Sequence, residues 1–351
     1  MAEGKYLVGV DIGSSAIKVI QLKEIRKKPV VVRAGYAELP PQAIVDGHVM
    51  NASAVVDAIK RVFSDNRISQ KEVAIGLAGQ SVIVRKLTLP MMSPAELAEQ
   101  IPWEAEQHIP FDVKVMAIDY EVIRRRPETG QMDVLLVAAK RDEVNEVLQL
   151  LKDAKLKPVV VDINAFTVQN AYEHTRGSLE GSTVALVNVG ASVTSLNVVA
   201  DGVSAFSREL TSAGASVTEQ IERGANVPNE QAEAYKTGGD GVEIVPQDVF
   251  QTIANACEAL AGDIQRSLDF YLATSSDATI DQVVLCGGSA YLGPLAKAIE
   301  RRARISVEVM DPLASFEVDA KTVQEEPLRA RSAQFAVALG LALRTEKEKR
   351  G

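Results

Sequence analysis

The sequence predicts an α/β protein of two lobes built on a duplicated core. Three observations predict it. The apolar content is mostly Val, Ile, Leu and Ala with few aromatics, a composition that suits buried parallel strands covered by helices. A chain of 351 residues is too long for one small core and suits two domains or more. A strand–turn–strand unit near the N-terminus recurs at an offset of 177 residues, placing Asn188 on Asp11, Gly190 on Gly13 and Ser192 on Ser15.

Residues 6–12 read as a buried strand, and Gly13-Ser14-Ser15 turns it into a second strand at Ala16–Leu22, a β-hairpin. A third strand is expected at Val30–Ala37. Residues 53–64 have helical spacing, with Val55, Val56, Ile59, Val62 and Phe63 on one face. Val73–Leu77 and Val82–Leu87 read as strands. Ser93-Pro94-Ala95-Glu96 opens a helix, with Ser as cap and Pro at the first helical position. Strands at 115–123 and 132–138 and a helix at 141–154 complete an αββα-like block, expected as a self-contained insert. Pro158–Ile163 returns to the first core.

The second half begins with the hairpin Val184–Val199. A helical stretch at 214–223, a polar stretch at 226–246 and a long helix at 248–274 follow. A strand at 282–286 runs into Cys286-Gly287-Gly288-Ser289, and the charged tail Thr345–Gly351 is expected to fray. The expected division is a first core at 1–83 and 159–181, an insert at 84–158, a second core at 182–223 and 265–351, and a small subdomain at 224–264.

Composition excludes several function classes. A formal net charge of -9 argues against non-specific nucleic-acid binding, which needs basic surface. Cys257 and Cys286 are far apart and suggest neither a disulfide framework nor a zinc knuckle. His48, His108 and His174 are scattered, without metal-ligand spacing. The start M-A-E-G-K-Y leads quickly into a strand carrying Asp11, unlike a signal peptide. The best apolar run, 183–206, is broken by Asn188, Gly190 and Asn197, so no membrane span is expected and a soluble cytoplasmic protein follows.

The chemistry lies in three turns. A strand ending in Asp and followed by Gly-Ser-Ser gathers backbone N–H groups into a phosphate nest, to which Ser14 and Ser15 add hydroxyl donors. Asp11 stands where a carboxylate can hold magnesium through water. Lys18 lies on the same strand face as Ser14 and can reach a phosphate. Two such hairpins at facing positions of a pseudo-symmetric pair would grip a nucleotide between them. Gly287 and Gly288, after a buried strand, let the backbone approach a flat ligand closely. That turn lacks the G-x-G-x-x-G spacing of a dinucleotide fingerprint.

These residues carry a resemblance. V-G-V-D-I-G-S-S (8–15), V-N-V-G-A-S (187–192) and V-L-C-G-G-S-A (284–290) resemble the phosphate-one, phosphate-two and adenosine motifs of the actin, sugar kinase and heat-shock chaperone superfamily. Val160–Phe166 resembles the first connecting motif and Ala333–Leu343 the second. Q-A-E-A-Y-K (231–236) is similar to the ribose- and base-contacting helix of the cell-division protein FtsA, and the insert occupies the place of FtsA's extra subdomain. Within the superfamily, D-I-G-S-S-A-I-K (11–18), P-W-E-A-E-Q-H-I-P-F (102–111) with Asp119-Tyr120, and D-I-Q-R-S-L-D-F-Y (263–271) most resemble the PilM family of type IV pilus assembly proteins.

The resemblance implies a two-lobed, actin-like fold with a ribonuclease H-like duplicated core and an FtsA-type inserted subdomain in the first lobe. It implies ATP or ADP with Mg2+ as ligand. The nucleotide would be held by Gly13, Ser14, Ser15, Lys18, Asn188, Gly190, Ala191, Ser192, Gly214, Glu233, Lys236, Gly287, Gly288 and Ser289, with Asp11 on the metal. The superfamily usually carries Asp where this chain has Asn188, and Glu or Gln near Asn164, where the attacking water is oriented. Asn164 is thus the catalytic candidate, and ATP hydrolysis is expected to be slow, because phosphoryl transfer depends on positioning and charge. The implied partner is the cytoplasmic N-terminal segment of the inner-membrane pilus protein PilN, docked between the insert and the first core, with Val30–Ala37 and 101–123 as candidate lining. Pilus motor ATPases are further implied partners, self-association is left open, and recruitment to the inner membrane would run through a partner.

Two other readings compete. A small-molecule kinase of the same fold needs an aspartate base, for which Asp162 and Asp119 are candidates. An FtsA-like filament protein would bind membrane through an amphipathic C-terminal helix, but here Leu341-Ala342-Leu343-Arg344-Thr345 passes into a charged tail without an apolar face. Single residues have plainer readings. Cys286 reads as a small buried strand residue. Trp103 reads as insert core or as a binding anchor. Arg124-Arg125-Arg126 reads as a solvated tip, and Arg266 and Asp269 are spaced to pair on a helix.

Overall fold

A computed structural model of the protein describes residues 5–45, 47–80, 82–238, 245–275 and 278–348. The first half runs β1 (Val8–Ile12), β2 (Ala16–Ile25), β3 (Lys28–Glu38), the short pair β4 (Ile44–Val45) and β5 (His48–Val49), α1 (Ala52–Asp65), β6 (Glu72–Leu77) and β7 (Ile83–Pro90). It continues through α2 (Pro94–His108), β8 (Met116–Arg126), β9 (Gln131–Lys140), α3 (Arg141–Asp153), β10 (Lys157–Ile163) and α4 (Asn164–Arg176). The second half holds β11 (Thr183–Val189), β12 (Thr194–Ala200), β13 (Val203–Leu210), α5 (Gly214–Ala225), α6 (Asn229–Thr237), α7 (Gln247–Thr274) and β14 (Gln282–Cys286). It ends with α8 (Gly293–Ala303), β15 (Ser306–Val309), β16 (Glu317–Val318), α9 (Glu325–Ala330) and α10 (Ala336–Ala342).

The duplication is visible in the sheets. The first has strand order β10-β6-β1-β2-β3-β16 and the second, read from its other end, β15-β14-β11-β12-β13. In each, an antiparallel three-strand meander is extended by strands running parallel to its first member. Apolar residues that alternate along β1 and β2 meet Val55, Ile59 and Val62 of α1 and Leu150 and Leu151 of α3 on one face of the first sheet. α10 lies between the two halves. All its residues are buried, as a helix apolar all round must be. It packs with Leu7 and Leu186 on one side and with Ile20 and Leu22 on the other. β16 pairs with β3, so the late chain completes the edge of the first sheet.

The block between β6 and β10 has its own sheet, β7-β9-β8, covered by α2. Ser93 caps α2 in a full capping box with Glu96, which satisfies two otherwise orphaned N–H groups. Leu97, Ile101 and Ala105, four apart, form the buried stripe of α2. Trp103 lies off that stripe and is 66% exposed, so the core reading of Trp103 fails.

Other expectations shift. The first strand begins at Val8, and Tyr6 forms only a bridge to Thr345, which ties down the start of the tail expected to fray; residues 349–351 of that tail lie outside the described residues. The polar stretch 226–246 contains α6, and its residues 239–244 are not among those described. Arg266 pairs with Asp263 and not with Asp269. Asp263 also accepts from the Ser212 hydroxyl, which fixes it toward β13's end of the sheet. Arg126 is no solvated tip either: it pairs with buried Asp133 across the β8–β9 ladder. β3 is not a free edge at its start, because Val30 and Val31 already pair with β16.

Candidate functional site

β1 and β11 both end at the same face of the molecule and turn in the same way. Gly13 N–H donates to the Ala16 carbonyl at 3.1 Å, and Gly190 N–H donates to the Val193 carbonyl at 3.0 Å. Strand register then lines side chains up in rows, since directly opposed residues share a face. In the first sheet Asp11 faces Lys18, and Lys18 faces Tyr36. Lys18 Nζ donates to Asp11 Oδ2 at 2.9 Å, and both side chains are nearly buried. In the second sheet Asn188 faces Ser195, and Ser195 faces Glu209.

The third turn follows β14. Gly287 has φ of +87°, a backbone state that L side chains avoid. A Cβ there would stand 2.5 Å from Asn188 Oδ1, so glycine is what lets this turn close onto the second hairpin. Ser289 Oγ donates to the Gly190 carbonyl at 3.2 Å and fastens the two turns together. Gly214 N–H donates to the same carbonyl at 3.0 Å, seating the start of α5 behind the turn.

α6 stands beside this start. Lys236 Nζ donates to the Gly214 carbonyl at 3.2 Å and to Thr218 Oγ1 at 2.8 Å, and pairs with Glu233 at 2.6 Å. Its side chain is 7% exposed, so the cation is held at the wall by three partners rather than free in solvent.

Together these turns enclose a cleft of about 310 Å³, within the range of small-molecule sites. The structure brings Asp11, Gly13, Ser14, Ser15, Lys18, Asn164, Asn188, Gly190, Ala191, Ser192, Glu233, Lys236, Gly287, Gly288 and Ser289 to its wall. Of the residues singled out in the sequence, Gly214 stays behind the lining. Tyr36, Gly76, Ser195 and Tyr291 line the cleft without having been singled out. Ser195 was within reach of sequence reasoning, because it is the residue 177 positions after Lys18. Tyr36 and Tyr291 come from elements whose position only the packed fold sets.

Asn164 begins α4 at the cleft floor. Its side chain does not cap the helix; the N-cap residue is Ile163, without a side-chain hydrogen bond. Its Oδ1 is buried with no hydrogen-bond partner. A Cβ on Gly76 would sit 1.9 Å from this oxygen, so the glycine leaves it room. A buried acceptor left without a donor costs about 1–3 kcal/mol, a cost that a donor from a ligand or ordered water would remove.

Burial pushes two groups up. Glu209, half-buried on β13, is pushed up to about 8 by burial, although the Ser195 hydroxyl favours its charged form. The Cys286 thiol is pushed far up by burial and by the charge of Asp11, which makes it inert as a nucleophile. Asp162, a candidate kinase base, does not line the cleft and accepts from Arg344 at 2.7 Å; Asp119 does not line it either. Among the described residues no three His, Cys, Asp or Glu side chains gather as a metal site, and no helix is long and apolar enough to cross a membrane.

A duplicated ribonuclease H-like core, three turns converging on an interlobe cleft and an insert in the first half define an actin-like fold. Solved structures with this architecture match along nearly the whole chain. One is the ethanolamine utilization protein EutJ from Carboxydothermus hydrogenoformans, at 14% identity and TM-score 0.61, covering 97% of this chain and 90% of that one. Another is MreB5 of Spiroplasma citri bound to ADP, at 11% identity and TM-score 0.57, covering 98% and 97%. The family described as type IV pilus assembly protein PilM matches residues 9–346, and the chain belongs to it. A solved PilM–PilN type IV pilus biogenesis complex is similar at 28% identity and TM-score 0.85, covering 97% of this chain and 98% of that one.

Proposed function

We propose that the chain is a nucleotide-dependent scaffold of type IV pilus assembly, in which ATP or ADP bridges the two lobes and the first lobe with its insert receives the cytoplasmic N-terminal segment of PilN. The observation that carries the nucleotide reading is the convergence of three N–H-rich turns, after β1, β11 and β14, on one cleft. Nests of this kind favour anions. The open space at Gly288, where a Cβ would meet nothing within 4 Å, leaves room for a flat base. MreB5, of the same fold, was solved with ADP.

Magnesium fits the donor set in one way. The lining offers Asp11 as a carboxylate near the phosphate turns, beside Lys18. That suits an ion that keeps its waters and takes phosphate oxygens, not an all-protein cage. When bound, the ion would neutralise phosphate charge. Asp11 would hold it, Lys18 would balance the carboxylate, and Ser14, Ser15 and Ser192 would donate to phosphate oxygens. Asn188 and Asn164 can orient water but supply no charge, so turnover is slow.

The PilN reading rests on the similar PilM–PilN complex and on the insert's surface. β8 is an edge strand of the insert's sheet, open to an extended peptide that adds by main-chain pairing. Trp103, Phe111 and Val115, close to it in the chain, are exposed apolar side chains. Residues 84–158 act as the inserted subdomain of the first lobe, and 224–264 as the small subdomain of the second. The protein works in the cytoplasm and reaches the inner membrane through PilN. Contacts with motor ATPases and self-association belong to the same reading and rest on the family likeness.

Calorimetry on the full chain tests both halves. Gly288→Phe fills the cleft and is expected to weaken Mg·ATP binding at least ~tenfold while leaving PilN peptide binding in place. Trp103→Ala is expected to weaken the peptide by ~tenfold, as loss of an aromatic anchor does, with ATP affinity unchanged. Unchanged ATP affinity in Gly288→Phe would remove the nucleotide from this cleft. Unchanged peptide affinity in Trp103→Ala would remove the 101–123 face from the groove.

A further inference from the structure

The first sheet has a second hollow, at the end remote from the cleft. Strand direction fixes its place. β6 ends at the cleft, where Gly76 and Leu77 line the wall, and starts just after Lys71, which lines the hollow. β10 likewise leads to Asn164 at the cleft floor and starts just after Lys155 and Leu156, which line the hollow. The space is about 620 Å³ and lies between the C-terminal ends of α1 and α3. Its floor is apolar: Ile59, Phe63, Ile68 and Leu156 are buried members of the first core. Its rim is basic. Lys60, Arg67, Lys71 and Lys155 line it, all four exposed, and among the described residues no acidic side chain does.

The two helices end alike. After α1, Arg67 has φ of +53°, its N–H donates to the Ser64 carbonyl at 3.0 Å, and Ile68 N–H reaches back to the Phe63 carbonyl at 2.9 Å. After α3, Lys155 has φ of +60°, its N–H donates to the Lys152 carbonyl at 2.9 Å, and Leu156 N–H reaches back to the Leu151 carbonyl at 2.8 Å. Each is a Schellman ending, which turns the second residue into the core and leaves its left-handed neighbour at the surface. Glycine or Asn is usual at the left-handed position; here both are long cations. Backbone N–H groups occupy carbonyls of the last turn, so the cations are not drawn into capping. Offsetting the helix dipoles can account for Arg67 and Lys155. It cannot account for Lys60, more than a turn inside α1, or for Lys71, which leads into β6. Lys71 Nζ stands 6.0 Å from the centre of the Phe63 ring, over the floor. Among the described residues none of the four cations forms an ion pair, and the acids that end the helices, Asp65 and Asp153, do not line the hollow.

We propose that this hollow is a second binding site, which takes an acidic segment of a partner polypeptide and seats one of its apolar side chains on Ile59, Phe63 and Leu156. Charge complementarity selects the acid. A concavity lined by one sign of charge focuses its field, and in a chain of net charge -9 this rim is a local reversal of sign. Ser64 and Ser69 add hydroxyl donors for carboxylates at the rim. The apolar floor and the volume select a peptide side chain over a small inorganic anion, which gains nothing from either. The shape selects against a bilayer, which meets projecting cations rather than a hollow. The site shares no lining residue with the cleft, so the proposal does not rest on the nucleotide reading.

Anisotropy of a dye-labelled peptide of Glu-Glu-Leu repeats, titrated with the full chain, tests it in the parent and in two double variants, Lys60→Glu with Lys155→Glu and Lys60→Gln with Lys155→Gln. The parent is expected to bind the peptide at low salt, and ~tenfold more weakly as salt rises from ~0.05 to ~0.3 M, because exposed charges are screened. Charge reversal is expected to weaken binding ~30-fold and neutralisation ~fivefold. Both sites are exposed, so melting temperatures near the parent's are expected, and the Gln variant serves if the Glu variant does not fold. A Lys-Lys-Leu peptide is expected not to bind, and a Glu-Glu-Ser peptide to bind ~fivefold more weakly for want of an apolar side chain. Hydrogen exchange is expected to slow at 59–71 and 154–156 when the Glu-Glu-Leu peptide is added. No binding by the parent at low salt overturns the proposal. Equal binding by the parent and both variants overturns it as well, since the peptide then sits elsewhere. So does a parent that leaves the peptide free but binds phosphatidylglycerol vesicles, with that binding lost on charge reversal, because the rim then reads lipid headgroups.

Discussion

The two hairpins share a backbone and differ in the chemistry they carry. Both close their turns through a glycine N–H to a carbonyl three residues on. The first sets Asp11 against Lys18 at 2.9 Å, a buried charge pair at the mouth of the turn. The second sets Asn188 against Ser195, two neutral groups, and its carboxyl, Glu209, stands two strands away from the turn. A duplicated fold thus preserves the anion nest, which is made of backbone, while each copy's side chains take separate roles. The first hairpin is suited to charge and to a hydrated cation. The second is suited to hydrogen bonding without charge, and its outer carboxyl accepts from Ser195 on the neighbouring strand.

The largest effect expected from this asymmetry is on Mg·ATP affinity. Asp11→Ala removes the carboxylate for the ion and leaves Lys18 buried and unpaired, so affinity is expected to fall ~100-fold, the scale of a broken charged contact. Asn188→Ala, the matching change in the second hairpin, removes one neutral partner and is expected to cost less than ~tenfold. Calorimetry on both proteins decides: equal losses would mean that the hairpins are equivalent and that the charge of the first does not matter.

A smaller change in the opposite direction concerns turnover. The parent is expected to hydrolyse ATP well below ~1 s⁻¹, under the range of ordinary enzymes. Asn188→Asp restores a carboxylate to the second hairpin and makes it resemble the first. Phosphate release by the purified variant is expected to rise ~tenfold, since charge placed at the reacting end is where phosphoryl transfer gains most. A rate equal to the parent's would show that the amide at this position is not what limits hydrolysis.

Much of this comparison was legible in the sequence, for a physical reason. The turns are local: Asp11, Gly13 and Ser15 recur as Asn188, Gly190 and Ser192, and a strand followed by a glycine turn declares itself without knowledge of the rest of the fold. Cys286 was likewise readable as an inert buried residue. What could not be read depends on register and on distant chain. Glu209 joins Ser195 only because β13 pairs with β12 in one register, and the insert's β7 lies beside β13 only in the packed fold. β16 closes the edge of β3 from nearly 300 residues away, and no local pattern announces that a two-residue strand will do so. Arg266 had carboxylates three positions away on both sides, and it pairs with Asp263, which also accepts from Ser212 of another element.

The smallest effect expected is on stability against pH, and it separates the ends of the two rows. Tyr36, which ends the first row, is pushed above its ordinary value by burial and keeps its proton across the neutral range. Glu209, which ends the second, is pushed from 4.5 up to about 8 by burial. Between those values the folded chain holds a proton that the unfolded chain has released. Stability from this group is therefore fully present below about pH 4.5, is lost as pH rises toward 8, and changes no further above that. Water reaching a half-buried side chain reduces the full linkage, leaving a loss on the order of 1 kcal/mol, or ~2 °C in melting temperature for domains of this size. Glu209→Gln cannot titrate, so its melting temperature is expected to fall less than the parent's between pH 5 and pH 8.5. Tyr36→Phe is expected to follow the parent's slope. Parallel curves for the parent and Glu209→Gln would mean that the carboxyl ionises in the folded protein as it does in water, and that water already reaches it beside Ser195.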